Sequence, residues 1–192
     1  MSRALKFVPL TPDRWGDLVQ LFGPNGACGG CWCMWWKRSP DDYRRMKGPS
    51  NRRSFKALID RGQVPGFLAY DEEQPIGWCA VEPRAHYPRL AGSRALAPVD
   101  DAPVWSVTCL FVKAGHRRRG LSLAMVQQAK RFAAARGGRL IEGYPKDLKG
   151  GLTGANSLWT GIASTFVQAG FSEVARRTPT RPIMRCQLRD RT

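Results

Sequence analysis

The segment Arg117-Arg118-Arg119-Gly120-Leu121-Ser122 gathers three guanidinium groups beside a glycine, directly before the apolar spacing Leu121, Ala124, Met125, Ala129, Phe132 and Ala133. That spacing predicts a helix. At a helix N-terminus the first amides lack partners and the dipole favours an anion, so such a turn is a seat for phosphate. Arginine adds charge-assisted bonds, and Gly120 lets an oxygen approach the backbone without a Cβ in the way. A solvated basic turn is the alternative that spacing alone leaves open. A second cluster, Cys28-x-x-Cys31-x-Cys33, has a spacing able to hold a soft metal. No further CxxC or HxxxH follows, His86 and His116 stand alone, and Cys79, Cys109 and Cys186 fall in strand-like stretches, so no metal and reduced thiols are expected. Beside this cluster stand Trp32, Met34, Trp35 and Trp36, an aromatic run able to plug a core.

Positioning these groups takes a mixed set of elements. Residues 5–10 alternate weakly as a strand, and Thr11-Pro12-Asp13 starts a helix with Thr11 as its cap and Trp15, Leu18, Val19 and Phe22 on one stripe. Gly23-Pro24-Asn25-Gly26 ends it. Ser39-Pro40-Asp41-Asp42 begins another helix, and Ser50–Asp60 forms a third. From Val64 the period changes to two: Gly66–Tyr70 and Ile76–Val81 read as an antiparallel hairpin. Residues 83–103 carry four prolines and no period, an irregular loop long enough to line a site. Val104–Val112 is the strongest strand, with Trp105, Val107, Cys109 and Phe111 expected on a packing face and Ser106 and Thr108 on a face free to serve a cleft. After the basic turn and its helix, which Gly137-Gly138 stops, Arg139–Tyr144 is a strand, Ser157–Ala169 a helix, and Ser172–Arg177 with Ile183–Leu188 a closing strand pair.

The 192 residues, 43% hydrophobic, supply enough apolar material for one core, and one domain over residues 1–192 is expected. Lys and Arg number 31 against 15 Asp and Glu, a formal charge of +16 that excludes an acidic solvating chain and favours anionic partners. No stretch reaches the roughly 18 apolar residues of a membrane span. The first residues lack the apolar run of an export signal, which leads us to expect a cytoplasmic protein with free thiols.

The run Cys109-Leu110-Phe111-Val112, a short loop, then Arg117-x-x-Gly120-x-Ser122 and an amphipathic helix resembles motif A of the GNAT superfamily of acetyl-CoA-dependent N-acetyltransferases. That signature reads Arg or Gln, x, x, Gly, x, Gly or Ala, so Ser122 departs at its last place. Ala169-Gly170-Phe171 resembles the end of the superfamily's motif B, and the element order agrees over essentially the whole chain. Cys28-Gly-Gly-Cys-Trp-Cys-Met-Trp-Trp36 and Glu142-Gly-Tyr-Pro145 resemble a poorly characterised bacterial subgroup. The resemblance implies an α+β (α/β) fold, a mixed, mostly antiparallel twisted sheet flanked by helices. It implies acetyl-CoA as acyl donor, its pantetheine arm paired with the backbone of Leu110, Phe111 and Val112 and its pyrophosphate on the amides of Arg117, Arg118, Arg119, Gly120, Leu121 and Ser122. The connection bearing Trp32, Trp35 and Trp36 then borders the acceptor cleft, where these rings either wall an amine-bearing substrate through cation–π contacts or plug the core between helices and sheet.

Acyl transfer needs a neutral amine and a proton for the departing thiolate. Where many members carry an acid tyrosine this chain has Phe166, and where several carry a carboxylate base it has approximately Ser106. Glu82 is a substitute base acting through a water, or a solvated strand-end carboxylate. Tyr144 is a substitute acid near the thiol, or an aromatic capping the core. Cys109 is a nucleophile only if it escapes burial among Trp105, Val107 and Phe111, and a buried thiol is expected. The expected function is N-acetyl transfer to a primary amine of a small molecule or protein, with a homodimer one assembly open to it. A non-catalytic acetyl-CoA sensor is an alternative, and so is a basic RNA-associated protein, given Arg44-Arg45, Arg52-Arg53 and Arg176-Arg177, although the chain shows no RNA-binding signature.

Overall fold

The computed structural model describes residues 5–148 and 158–188. Seven strands form one sheet in the order β1-β2-β3-β4-β5-β7-β6. Strand β1 (Lys6–Pro9) pairs antiparallel with β2 (Gly66–Asp71), β2 with β3 (Gln74–Pro83), and β3 with β4 (Trp105–Val112). The hairpin expected from the change of period is the β2–β3 pair. β4 and β5 (Leu140–Gly143) are parallel, as the crossover helix α5 (Leu121–Ala134) between them requires. β7 (Pro182–Gln187) then pairs antiparallel with β5 and with β6 (Ser172–Arg176).

One face of the sheet packs on α5 and α6 (Ala163–Gln168), burying Val107, Leu110, Met125, Phe132 and Phe166. The other packs on α1 (Trp15–Phe22) and α3 (Pro49–Asp60), burying Leu18, Phe22, Phe55, Ile59 and Trp78. The short helix α2 (Pro40–Arg45) is capped as expected, with the Ser39 hydroxyl accepting from the Asp42 amide at 3.2 Å. Thr11 does not cap a helix: its hydroxyl donates to Asp13, and a single 3-10 turn over Pro12–Arg14 leads into α1.

The strand β4 departs from the expected alternation. Its pairing with β3 shifts between Ala80 and Val81, which face Cys109 and Val107, so Thr108 is the extra residue of a bulge. A slip of one residue exchanges faces. Trp105 and Val107 therefore pack on the α5 side with Leu110 and Val112, whereas Cys109 and Phe111 pack on the opposite side. Two further expectations are corrected. The late helix is only Ala163–Gln168, because Gly161 takes φ +84° and residues 158–162 are not helical; Ser157 of the expected span lies outside the described residues. The proline-rich loop contains a 3-10 turn at Arg84–His86 and the short helix α4 (Pro88–Ala91), and it carries Tyr87, Leu90 and Leu96 of a third apolar cluster with Trp36, Tyr144 and Ile183.

Candidate functional site

The basic turn lies where the seat for an anion was expected. Gly120 is the N-cap of α5 in the left-handed conformation, φ +79°, and no side chain caps the helix. The first helical bond runs from the Ala124 amide to the Gly120 carbonyl at 3.1 Å, which leaves the amides of Leu121, Ser122 and Leu123 without helical partners. A Cβ on Gly120 would meet no protein atom within 4 Å, so the space beside it is open. The Arg117 Nε donates to the Val112 carbonyl at 3.2 Å and ties the turn back to β4. Arg117, Arg118 and Ser122 line a cleft of about 1280 Å³ together with Leu110, Phe111 and Val112. Arg119 is exposed away from this lining, and the Leu121 side chain is buried in the core, so both reach the seat only through the backbone.

The edge of β4 facing β5 is paired only at Trp105–Val107. Beyond Val107 the two strands part, and the amides of Leu110 and Val112, two residues apart, point into the gap. The gap is not bare. The Leu110 amide donates to the Trp159 carbonyl at 2.7 Å, so an arm laid along this edge must exchange with Trp159. The far wall of the cleft comes from the stretch before α3, with Cys28, Trp32 and Lys47, and from Arg52 in its first turn, the Arg52 guanidinium lying 5.3 Å from the Trp32 ring. Free backbone donors at a helix start, an unpaired strand edge and flanking arginines fit the phosphates and amide-bearing arm of acetyl-CoA.

Glu82, Ser106 and Tyr144 do not line the cleft; they belong to a polar row buried across the sheet. Register places Glu82 beside Ser106, Ser106 beside Glu142, and Glu142 beside Arg185. The Tyr144 hydroxyl donates to Glu142 at 2.9 Å and accepts from Arg84 at 2.7 Å, with the Ser106 hydroxyl at 2.8 Å. Its bonding capacity is filled. Burial first, and then the Glu142 carboxylate, raise the Tyr144 phenol above its ordinary value. Arg185 spans Glu142 and Asp100, which holds its guanidinium firmly charged. The solvated reading of Glu82 is overturned: the residue is 3% exposed, salt-bridged to the equally buried Lys37 and 3.0 Å from Nδ1 of His86. An unpaired carboxylate at such depth would cost several kcal/mol, and the Lys37 ammonium beside it explains how the site tolerates it.

The three tryptophans divide between the two readings. Trp32 and Trp36 are buried plugs, and the Trp36 indole donates to the Thr108 carbonyl at 3.1 Å, satisfying the bulge. Trp35 is 37% exposed, but the Arg89 guanidinium stands 3.9 Å from its ring and Trp159 packs edge-on at 6.2 Å. Trp32 also borders the cleft, so it serves both wall and core. Cys109 is partly buried beside Cys33, whose sulfur accepts from the Trp78 indole at 2.9 Å. All six cysteines are free thiols, and among the described residues no group of three His, Cys, Asp or Glu side chains is arranged to hold a metal ion. Lys37, Arg84, Trp159 and Arg185 were not singled out from sequence, and His86 and Glu142 were named there without a role in this row. Glu82, Glu142 and Arg185 do leave one trace there, each being charged within an otherwise apolar strand.

Residues 32–143 match the Acetyltransferase (GNAT) family. No curated protein matches the sequence. Among solved structures, the PaiA N-acetyltransferase of Thermoplasma acidophilum in complex with coenzyme A is 11% identical, covering 96% of this chain and 99% of its own with a TM-score of 0.54. An N-acetyltransferase from Staphylococcus aureus is 10% identical, covering 97% and 99% with a TM-score of 0.56. The Drosophila melanogaster polyamine N-acetyltransferase, which forms N-acetylagmatine, is 10% identical, covering 95% and 98% with a TM-score of 0.54. At these identities the likeness establishes the fold, while the family match extends from Trp32 through the basic turn to the end of β5. The chain therefore belongs to the acetyltransferase (GNAT) family and is an acyltransferase with acetyl-CoA as its acyl donor.

Proposed function

We propose that this protein, a single-domain cytoplasmic enzyme, moves an acetyl group from acetyl-CoA to a primary amine of a small molecule or protein. The observation that carries this reading is one cleft joining the open amides of α5, Arg117 and Arg118 to the unpaired edge of β4 at Leu110 and Val112. When bound there, acetyl-CoA supplies an activated acyl carbon and a thiolate leaving group. The amides of Arg117–Ser122 hold its phosphates, and the β4 edge fixes the arm by strand-like pairing. Trp32 forms part of the wall on the acceptor side, with Trp35 and Trp36 behind Trp159.

Glu82 acts as the base through its neighbours. With its carboxylate paired to Lys37, it accepts the Nδ1 proton of His86 and leaves Nε2 of that half-exposed ring free to take a proton from the amine or its water. Ser106 and Tyr144 are positioning groups, fixed in the buried row beneath the reacting end. The described residues lining the cleft include Lys47, Arg52, Arg117 and Arg118 and no carboxylate, which supports an acceptor amine carried on a neutral or anionic body. In that respect the cleft suits a polyamine poorly, unlike the named Drosophila neighbour. The test is calorimetry with acetyl-CoA, followed by thiol release with matched amines: amino acids, amino sugar phosphates and polyamines. Tight acetyl-CoA binding with turnover of the first two supports the reading; absence of acetyl-CoA binding overturns it, and preference for polyamines overturns the acceptor class.

A further inference from the structure

The third apolar cluster contains a phenol whose hydroxyl meets no partner of hydrogen-bonding geometry among the described residues. Tyr87 follows His86 at the end of the 3-10 turn, is 1% exposed, and its hydroxyl has no partner with hydrogen-bonding geometry. A buried hydroxyl without a partner costs stability, so a phenylalanine would pack there at lower cost. The ring carries the Lys37 ammonium at 4.9 Å, and the Thr108 hydroxyl and the Glu82 carboxylate both lie close enough to act on its ionisation. Tyr144, by contrast, has its hydroxyl committed to three partners.

Position gives the phenol a use. Between Val112, beside the basic turn, and Thr108, where β4 and β5 meet, the unpaired edge runs four residues, about 13 Å of strand. An extended arm anchored by its phosphates at Arg117–Ser122 therefore ends at the bulge. Thr108 is also where the third apolar cluster converges: Trp36 bonds its carbonyl, and Tyr87 packs with Trp36 in that cluster, with Trp159 against it. Trp159 lines the cleft on one side and contacts this cluster on the other, while its carbonyl occupies the Leu110 amide. An arm that takes the Leu110 amide displaces that carbonyl and opens the way to Tyr87.

We propose that Tyr87 is the general acid of the acetyl transfer, its hydroxyl meeting the sulfur of the departing thiolate. This rests on the acetyl-CoA reading of the cleft. In the step, the amine nitrogen forms a bond to the acetyl carbon, and the carbon–sulfur bond breaks with its electron pair moving to sulfur. Sulfur receives the Tyr87 proton, the amine proton goes to His86, and the two groups re-equilibrate through water. Burial first, and then Glu82, raise the phenol above its ordinary value, which keeps it protonated at neutral pH.

The test needs no acceptor. Coenzyme A is bound to wild type, Tyr87→Phe and Tyr144→Phe, and the thiol is titrated by the ultraviolet absorbance of its thiolate against the ligand-free protein. A phenol donating to sulfur stabilises the thiolate, so Tyr87→Phe should raise the bound thiol's midpoint by about one pH unit, with Tyr144→Phe titrating as wild type. Because the nearest polar neighbour of the hydroxyl, that of Thr108, lies outside hydrogen-bonding geometry, Tyr87→Phe should melt close to the wild-type temperature. With hydroxylamine, an amine already neutral at neutral pH, as nucleophile, the same variant should slow single-turnover acetyl transfer about 10²-fold without weakening coenzyme A binding. Tight binding with an unmoved titration in Tyr87→Phe, or a shift confined to Tyr144→Phe, overturns the assignment of Tyr87. Failure of wild type to bind coenzyme A instead overturns the cleft reading on which it rests.

Discussion

Replacing Lys37 by methionine tests whether the buried pair it makes with Glu82 holds this region together. Both side chains are almost wholly enclosed, 6% and 3% exposed, so neither charge is screened by water. Methionine keeps an apolar stem of similar length and removes only the ammonium. The carboxylate then keeps its contact with His86, whose ring is 47% exposed. Removing one member of a buried pair costs about 3–5 kcal/mol, because the survivor stays desolvated. For a chain of this size that is a melting-temperature drop of roughly 6–20 °C. Deleting both charges in Lys37→Met/Glu82→Leu should restore most of the loss, so the two single changes are strongly non-additive in the cycle. The assay is urea unfolding followed by circular dichroism. A loss below about 1 kcal/mol in Lys37→Met would refute the reasoning, since that is the range of an exposed pair.

Gly120→Glu should abolish acetyl-CoA binding in a folded protein, because it sets a carboxylate where phosphate oxygens meet free amides and asks a side chain to adopt φ +79°; calorimetry showing wild-type affinity would remove the phosphate seat. Iodoacetamide should modify the exposed Cys28 before the buried Cys79, and purified protein should hold much less than one zinc per chain, whereas one metal per chain lost in Cys31→Ser would show a metal centre instead. Burial, and then Cys33, push the Cys31 thiol up to about 11 from 9.0. Its pKa is raised on folding, so its contribution to stability is complete below about pH 9 and is lost as pH rises through about 11. The stability gap between wild type and Cys31→Ala should therefore narrow over that window, and a constant gap would contradict the burial of this thiol.

The elements that local pattern dictates were legible in the sequence. The hairpin of β2 and β3 follows from period-two apolar residues around a turn, and α5 follows from its apolar stripe and terminal glycines. The basic turn at the start of α5 was legible too, because a turn joining strand to helix is a local arrangement. The bulge at Thr108 was not, since no glycine or proline marks it and only the register with β3 reveals it. The polar row was hidden for a different reason: Glu82, Ser106, Glu142 and Arg185 come from four strands far apart in the chain, and only sheet order makes them neighbours. Phe166 shows the limit most plainly. Its ring lies where a Cβ on Gly143 would come within 2.0 Å of Cε1, so the glycine on β5 and the aromatic on α6 form one fitted contact that neither segment announces alone.

The parting of β4 from β5 also governs how the molecule assembles. The meander β1 to β4 closes through nearby partners, apart from β1, whereas the parallel ladder of Trp105–Val107 with Ile141–Gly143 forms only after α5 has crossed over. Joining distant segments carries a loop-closure cost that local hairpins escape, so this three-residue seam forms late in folding and is an early place for subglobal opening. A ligand lying in the cleft touches β4, the start of α5 and Trp159, and so holds the crossover on which the seam depends. Acetyl-CoA then acts as a clasp as well as a substrate: at a free concentration of 100 times its Kd it would add about 2.7 kcal/mol against unfolding, and amide exchange along β5 would slow accordingly.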